Sequence, residues 1–184
     1  MNRSRNVCGL AIAALVLVSP AFGETVEYAR DGEVLFSIDY PDGWNIDTDF
    51  DAEAKEAGTY QDGGPKIDIV EAMPADDTRA WIGVWIAPEV ANLEEAVEYG
   101  RSLSEFLMAE VEMSDPDTGK LNGMDKISVE GVARKDGNEV EFGLAFFQAS
   151  EDAVGAVLYI GETGAWDEHE GELEAIVASI RSAS

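Results

Sequence analysis

Residues 79–87 most constrain the fold, because they form a strand-like run that is apolar on both of its faces. Trp81 and Trp85 would share one side of an extended strand, and the Ile and Val side chains of the run would share the other. A strand of this kind is buried on both sides, so we expect it near the centre of a sheet with a packed layer on each face. We expect the two Trp side chains in the core beneath a helix rather than on a ligand-stacking surface.

Strand and turn patterns continue along the rest of the chain. Strands are predicted over residues 25–29, 33–40, 66–72, 124–134, 139–148 and 153–161. Tight turns are expected at Asp31-Gly32, Asn122-Gly123 and Asp136-Gly137. Residues 47–64 show no sustained apolar period and are predicted to form a long loop, and the Pro and Gly of residues 115–119 favour a turn.

Two helices are predicted. Asn92 is followed three residues later by Glu95, which is the pattern of a helix N-cap, and this helix would run to about residue 110. Its apolar stripe consists of Leu93, Val97, Gly100, Leu103 and Leu107. The second helix covers about residues 165–181 and has on one face Trp166, Leu173, Ile176, Val177 and Ile180. Together these elements predict one α+β domain in which helices flank a mostly antiparallel sheet.

Residues 1–23 have the pattern of a secretory signal peptide. Arg3 and Arg5 precede an apolar run over residues 7–18, which is shorter than the roughly 20 residues that a membrane-spanning helix needs. Small residues around Phe22 then form a cleavage site. We expect cleavage near Gly23, and cleavage after Ala21 is the alternative.

The sequence after the signal peptide is expected to fold as a single exported domain over residues 24–184. Cys8 is the only cysteine, and it lies at the start of the apolar run rather than at a cleavage point, so the pattern for lipid attachment is not met. No disulfide is expected, and no later segment is apolar for long enough to span a membrane. These features predict a periplasmic or secreted protein.

The charge excludes some classes of partner. The 184 residues carry a net charge of −26, which would become −28 once Arg3 and Arg5 leave with a signal peptide that contains no acidic residue. Nucleic acids and anionic lipids bind basic surfaces, so neither is an expected partner. Because the acidic residues are spread along the whole chain, adaptation to salt is favoured over a single acidic binding face.

His169 is the only histidine, and it lies between Glu168 and Glu170 in the second predicted helix. One hypothesis is a general base whose pKa is raised by neighbouring carboxylates. The favoured interpretation is a residue at the helix surface or boundary, because the chain after residue 23 offers no Cys, second His or nucleophile-elbow Ser for a triad or zinc site. No catalytic residue and no resident cofactor are therefore predicted.

Asp47, Asp49 and Asp51 occupy alternate positions in the predicted loop and form the strongest candidate for a metal-binding acidic cluster. Oxygen ligands in such a loop suit Ca²⁺. The cluster does not match an EF-hand, because Ala52 and Gly58 stand where that loop needs a Gly and a bidentate Glu. A solvated acidic loop is the favoured interpretation, and a calcium site remains the alternative.

The segment Phe36-x-Ile38-x-Tyr40-Pro41-x-Gly43-Trp44 resembles the opening of the PsbP and DcrB-like families. The resemblance extends to the helix after the central strand and to the closing helix, with Leu173, Ile176, Ser179 and Ile180. It implies the α/β/α sandwich that these families share with Mog-type proteins, and a fold used for docking and assembly rather than a common active site. Tyr40, Pro41 and Trp44 are matched as markers of this fold only.

Three function classes follow in order of preference. The first is an exported, soluble, non-catalytic acidic domain that docks to a protein partner or assists cell-envelope assembly. The second is a module that binds Ca²⁺ or another small ligand. The third is a hydrolytic enzyme, which would need a pocket that brings His169 together with acidic residues from other segments.

Overall fold

A computed structural model of the chain describes residues 22–30, 33–48 and 69–183. Within these ranges the elements in chain order are β1 (Phe22–Arg30), β2 (Glu33–Pro41), β3 (Trp44–Asp47), β4 (Val70–Pro74), β5 (Ala80–Ile86), α1 (Leu93–Leu107), β6 (Ala109–Met113), β7 (Asp117–Leu121), β8 (Met124–Lys135), β9 (Asn138–Ser150), β10 (Ala153–Glu162), α2 (Ala165–Ser179) and β11 (Arg181–Ser182). Residues 1–21 of the predicted signal peptide, the Asp31-Gly32 turn and most of the predicted loop lie outside the described residues. Those expectations stay predictions.

The strands form two antiparallel sheets. The large sheet has the order β3-β4-β5-β10-β9-β8-β6, and β7 pairs with β8 beside β6. The small sheet has the order β1-β2-β11. Helix α1 packs on one face of the large sheet, while α2 and the small sheet cover the other. The prediction of a mostly antiparallel sheet flanked by helices is confirmed, and among the described residues neither helix is long and apolar enough to cross a lipid bilayer.

Strand β5 lies inside the large sheet, as its two apolar faces predict. Trp85 is 1% exposed on the side of α1, and its indole N–H donates to the hydroxyl of Tyr99 at 3.0 Å. Ile82 and Val84 are fully buried on the side of α2. Trp81 is half-buried against the same cluster as Trp85, so the prediction that both Trp side chains belong to the core is confirmed.

Aromatic side chains lie over glycines where β9 and β10 pair. Phe147 stands directly opposite Gly155, and Gly143 stands directly opposite Tyr159. In each pair the ring occupies the space that a Cβ on the glycine would need. Phe147 is fully buried and its ring meets Phe36 of β2 edge to face, with centroids 4.9 Å apart. The glycines therefore allow two aromatic rings to pack directly on the sheet backbone.

Helix α1 begins as predicted, but the face that it buries is centred beside the predicted stripe and shares Gly100 with it. Asn92 Oδ1 accepts hydrogen bonds from the backbone N–H groups of Glu94 and Glu95 at 3.0 and 3.1 Å. The residues that α1 buries are the small ones, Ala96, Gly100 and Ser104. Leu107, which was predicted in the apolar stripe, is 39% exposed.

The reason is the close approach of α1 to the sheet. A Cβ on Gly100 would lie 2.6 Å from Cδ2 of Leu144, so only small side chains fit between the helix and β9. The larger Leu93, Val97 and Leu103 lie half-buried beside this contact.

Four short strands, β3, β6, β7 and β11, were not predicted. Helix α1 ends at Leu107, and β6 occupies residues assigned to the end of that helix and beyond, while β7 occupies part of the predicted turn. Both are edge strands; β7 is exposed except for Leu121, so it lacks the apolar alternation that identifies a half-buried strand. Glu110 has φ 53° where the register of β6 shifts, which marks a bulge that the sequence did not indicate.

Strand β11 closes the small sheet against β2. Arg181 pairs with Ser37 in the ladder, and its guanidinium donates to both carboxylate oxygens of Asp39 at 2.6 and 2.9 Å. The backbone N–H of Asp39 donates to the hydroxyl of Ser179 at 2.8 Å. The end of α2 and β11 are therefore fixed to the middle of β2.

Candidate functional site

His169 lies on α2 with only 14% of its side chain exposed. Its Nδ1 is 3.0 Å from Oε2 of Glu172, and its Nε2 is 3.3 Å from Oδ2 of Asp77 in the connection between β4 and β5. The sequence predicted its helix neighbours Glu168 and Glu170 as the partners. The structure gives Asp77 and Glu172 instead, because residues three apart share a helix face and adjacent residues do not.

Arg79 joins this cluster from the same connection. Its guanidinium donates two hydrogen bonds to Asp77, from Nε to Oδ1 at 2.9 Å and from Nη2 to Oδ2 at 2.7 Å. Nη2 also donates to Oε2 of Glu168 at 2.9 Å. The backbone N–H of Arg79 donates to Oδ1 of Asp77 at 3.0 Å, a short-range contact that fixes the connection locally.

Trp44 completes the His169 cluster, which we define as Trp44, Asp77, Arg79, Glu168, His169 and Glu172. The indole N–H of Trp44 donates to Oε2 of Glu172 at 3.2 Å, and its ring lies edge to face with the imidazole of His169, with centroids 6.3 Å apart. The cluster thus joins the start of β3, the connection before β5, and α2.

The resemblance markers lie at the turn that leads to this cluster. Tyr40 is fully buried near the end of β2, and its hydroxyl shares a 3.1 Å hydrogen bond with that of Tyr28. Pro41 is the last residue of β2, and Gly43 takes a φ of 89° in the turn that follows. Burial raises the pKa of Tyr40 to about 12. The turn delivers Trp44 to the cluster with its side chain 8% exposed.

The electrostatics of the cluster favour charged side chains. Hydrogen bonds from Arg79 hold the pKa of Asp77 well below its usual range, and Asp77 in turn raises the pKa of Arg79. Burial disfavours the imidazolium of His169, but the hydrogen bonds to Glu172 and Asp77 outweigh it, so its pKa is raised. An imidazolium can donate from both ring nitrogens, which matches the two carboxylates that face it.

The contacts within the His169 cluster leave little opportunity for metal binding or catalysis. Asp77, Glu168 and His169 offer ligand atoms within 4.8 Å of one another, which a metal ion could use. The guanidinium of Arg79 already bridges the two carboxylates, so a metal ion would have to displace it. Both nitrogens of the imidazole face carboxylates, which leaves neither one directed at a substrate. The arrangement is therefore suited to holding three elements together.

Sequence reasoning did not identify Asp77, Arg79 or Glu172 as partners of His169. The i, i+3 spacing of His169 and Glu172 on a predicted helix was an available signal. The contact between Asp77 and His169 spans 92 residues, and a single sequence gives no indication of it.

The predicted calcium cluster is described only in part. Asp47 ends β3 directly opposite Glu71 of β4. Burial raises the pKa of Glu71, and the nearby charge of Asp47 raises it further. Asp49 and Asp51 lie outside the described residues, so the three-residue site stays a prediction.

A groove of about 620 Å³ lies between α1 and the hairpin of β7 and β8. Leu93 and Val97 of α1 and Ile127 of β8 supply its apolar lining. Its remaining lining residues are Glu94, Thr118, Gly119, Lys120, Asp125 and Lys126. Nζ of Lys120 lies 2.6 Å from Oδ1 of Asp125, so these two opposite charges pair across the hairpin.

Comparison with solved structures identifies the fold. Cyanobacterial PsbP (CyanoP) from Synechocystis sp. PCC 6803 has a TM-score of 0.61 at 12% identity, and the match covers 94% of this chain and 99% of that one. LpqN from Mycobacterium tuberculosis, described as involved in cell envelope biogenesis, gives 0.53 at 13% identity, with 88% and 90% covered. PA94, a protein of unknown function from Pseudomonas aeruginosa, gives 0.52 at 13% identity, with 88% and 99% covered.

None of these three descriptions names an enzymatic activity. No family model matches the sequence, and no curated protein matches it. The likeness is therefore one of architecture, and it confirms the fold that the resemblance of the Phe36–Trp44 segment implied. This chain has a PsbP-like α+β fold.

Proposed function

We propose that the protein is an exported, soluble, non-catalytic domain that docks to a protein partner or assists cell-envelope assembly. The observation that carries the proposal is the open groove of about 620 Å³ between α1 and the β7–β8 hairpin, on a chain whose net charge is −26. The His169 cluster, by contrast, is already occupied by its own ion pairs. A surface with an apolar floor and charged margins suits a macromolecular partner better than bond-breaking chemistry.

The shared fold also supports a role in docking or cell-envelope assembly. LpqN has this architecture and is involved in cell envelope biogenesis, a role compatible with a docking domain outside the cytoplasm. The predicted signal peptide and the absence of any cysteine after residue 23 agree with such a location. The high negative charge would keep the domain dissolved in salt and favour a partner with a basic surface.

The test is cross-linking in the native host followed by affinity capture of the full chain. An exported protein of similar acidity that carries the same tag serves as the control. We expect at least one envelope protein to be captured reproducibly by this chain and not by the control, and to bind it again after both are purified. Recovery of only those proteins that the control also captures would contradict a docking function.

A calcium-dependent module is the second candidate, and the cross-strand pair Asp47–Glu71 is the observation that favours it. The charge of Asp47 contributes to the raised pKa of Glu71, and a cation shared by the two carboxylates would relieve that repulsion. Calorimetric titration with CaCl₂ tests this candidate. This candidate predicts heat in the wild type, loss of heat in Asp47→Asn, and wild-type behaviour in the exposed-residue control Asp117→Asn. No heat and no change in melting temperature at millimolar Ca²⁺ would exclude it.

A further inference from the structure

Strand β7 is an edge strand whose outer side pairs with no other strand of the described ranges. It pairs with β8 through the two-residue turn Asn122-Gly123, with Leu121 opposite Met124. In a hairpin of this kind the pair that flanks the turn is hydrogen-bonded, and every second pair after it is hydrogen-bonded as well. The backbone N–H and C=O groups of Thr118 and Lys120 therefore face away from β8.

The groove lies directly beside this free edge. Thr118 and Lys120 belong to its lining, and they pair with Ile127 and Asp125 of β8. Residues 117–120 of β7 are exposed, so nothing among the described residues covers the backbone there. An apolar channel that runs between a helix and a free strand edge accepts an extended peptide as an additional strand.

The charges define the occupant. Lys120 is paired with Asp125 at 2.6 Å, and Lys126 alternates with Ile127 along β8, so its side chain is directed with Met124 to the other face of the sheet. Among the described residues, Glu94, on the first turn of α1, is then the unpaired charge on the α1 side of the groove lining. Glu98 and Glu105 are also exposed on this helix, but they are not among the residues that line the groove. On a chain with a net charge of −26, a cationic segment is attracted and an anionic one is repelled.

We infer that the partner docks by adding an extended basic segment to the outer edge of β7. In this arrangement the added strand hydrogen-bonds to Thr118 and Lys120, and the side chains on one of its faces enter the groove, apolar ones beside Leu93 and basic ones beside Glu94. The inference rests on the proposed docking function, since it specifies how a protein partner is held.

The first arm of the test uses a synthetic peptide as the probe. An eight-residue peptide of alternating Lys and Val, blocked at both ends, is titrated into the full chain by calorimetry, and alternating Glu and Val gives the control peptide. We expect the Lys peptide to bind at least about tenfold more tightly than the Glu peptide, and salt to weaken its binding. Two further Lys-Val peptides are N-methylated, one at every Lys and one at every Val. Because only one edge of a strand can pair with β7, we expect one of the two to lose binding and the other to keep it.

The second arm uses matched variants of the chain. Thr118→Pro removes an outward N–H without breaking a bond to β8, and Thr118→Val keeps that N–H. We expect about tenfold weaker binding for Thr118→Pro and near wild-type binding for Thr118→Val. Glu94→Gln should weaken binding several-fold, whereas Glu98→Gln, which makes the same charge change on the same helix outside the groove, should not.

Several results would overturn the inference. These are equal binding of the Lys and Glu peptides, equal effects of both methylated peptides, wild-type binding by Thr118→Pro, or a homodimer formed through β7 in sedimentation experiments. If Thr118→Pro does not fold, the methylated peptides decide alone. If a captured envelope partner binds Thr118→Pro as tightly as wild type, the docking function stands and the β7 inference fails. If no partner is captured while the Lys peptide binds at β7, the docking function fails instead.

Discussion

The glycine at position 155 allows a demanding test of the core. In the structure the ring of Phe147 lies across Gly155 on the neighbouring strand, and a methyl group at that position would overlap the ring. Phe147 cannot move aside easily, because it is fully buried and packs edge-on against Phe36 at 4.9 Å. Gly155→Ala should therefore force a fully buried ring from its position.

The expected magnitude is the difference between two opposing effects. Replacing Gly with Ala in a strand stabilises the folded state by about 0.5–1 kcal/mol, because the unfolded chain loses freedom. Overpacking a close-packed core costs about 1–3 kcal/mol. The net loss should be about 1–2 kcal/mol, which for a chain of this size lowers the melting temperature by about 3–6 °C.

Urea denaturation and calorimetry measure this loss. Gly119→Ala on the exposed edge strand β7 is the matched control, since nothing lies within 4 Å of a Cβ there, and it should show only the entropic gain of about 0.5–1 kcal/mol. In the Gly155→Ala background, Phe147→Leu should relieve part of the overlap. The double variant should therefore lose less stability than the sum of the losses of the two single variants. If Gly155→Ala is as stable as the wild type, the ring does not pack on this glycine as described.

Three further predictions concern charge and capping. Because the pKa of His169 is raised in the folded state, its contribution to stability should be fully present below about pH 6.5 and decline as pH rises through the folded pKa. Urea denaturation of the wild type and of His169→Gln from about pH 6 to about pH 8 measures this contribution as the difference between their free energies of unfolding. A difference that grows with pH would contradict the prediction. Asn92→Ala should cost about 1 kcal/mol by removing the cap of α1, while Asn92→Asp should not, as thermal unfolding will show. The melting temperature should rise between about 0.05 M and about 1 M NaCl, because salt screens the repulsion within a chain of net charge −26, and a flat or falling trend contradicts this reasoning.

The layered architecture was predictable because burial acts on nearly every residue of the central strands. The double-sided apolar pattern around Trp85 required cover on both faces, and α1 and α2 provide it. The turn sequences also succeeded, since Asn122 and Gly123, like Asp136 and Gly137, take positive φ values that few other residue pairs accept readily. Such signals are local in sequence, so one chain suffices to read them.

The edge strands and the His169 cluster were not predictable for the opposite reason. Strand β7 is exposed, so burial leaves no period in its sequence, and its pairing follows from the adjacent hairpin turn. The predicted stripe of α1 failed at Leu107 because the helix approaches the sheet closely enough to favour small side chains. The pairing of His169 with Asp77 depends on the finished packing of α2 against the β4–β5 connection, which no local pattern encodes.

The bond between Arg181 and Asp39 also has a consequence for the timing of folding. These residues are separated by 142 positions, so β2 acquires its second neighbouring strand only after nearly all the intervening chain is available. During synthesis, the hairpin of β1 and β2 would wait with one side open until α2 and β11 emerge. Contacts of such long sequence separation slow folding. If the chain is exported unfolded, as the proposed function implies, this delay would keep the polypeptide extended during translocation and postpone closure of the small sheet until translocation is complete.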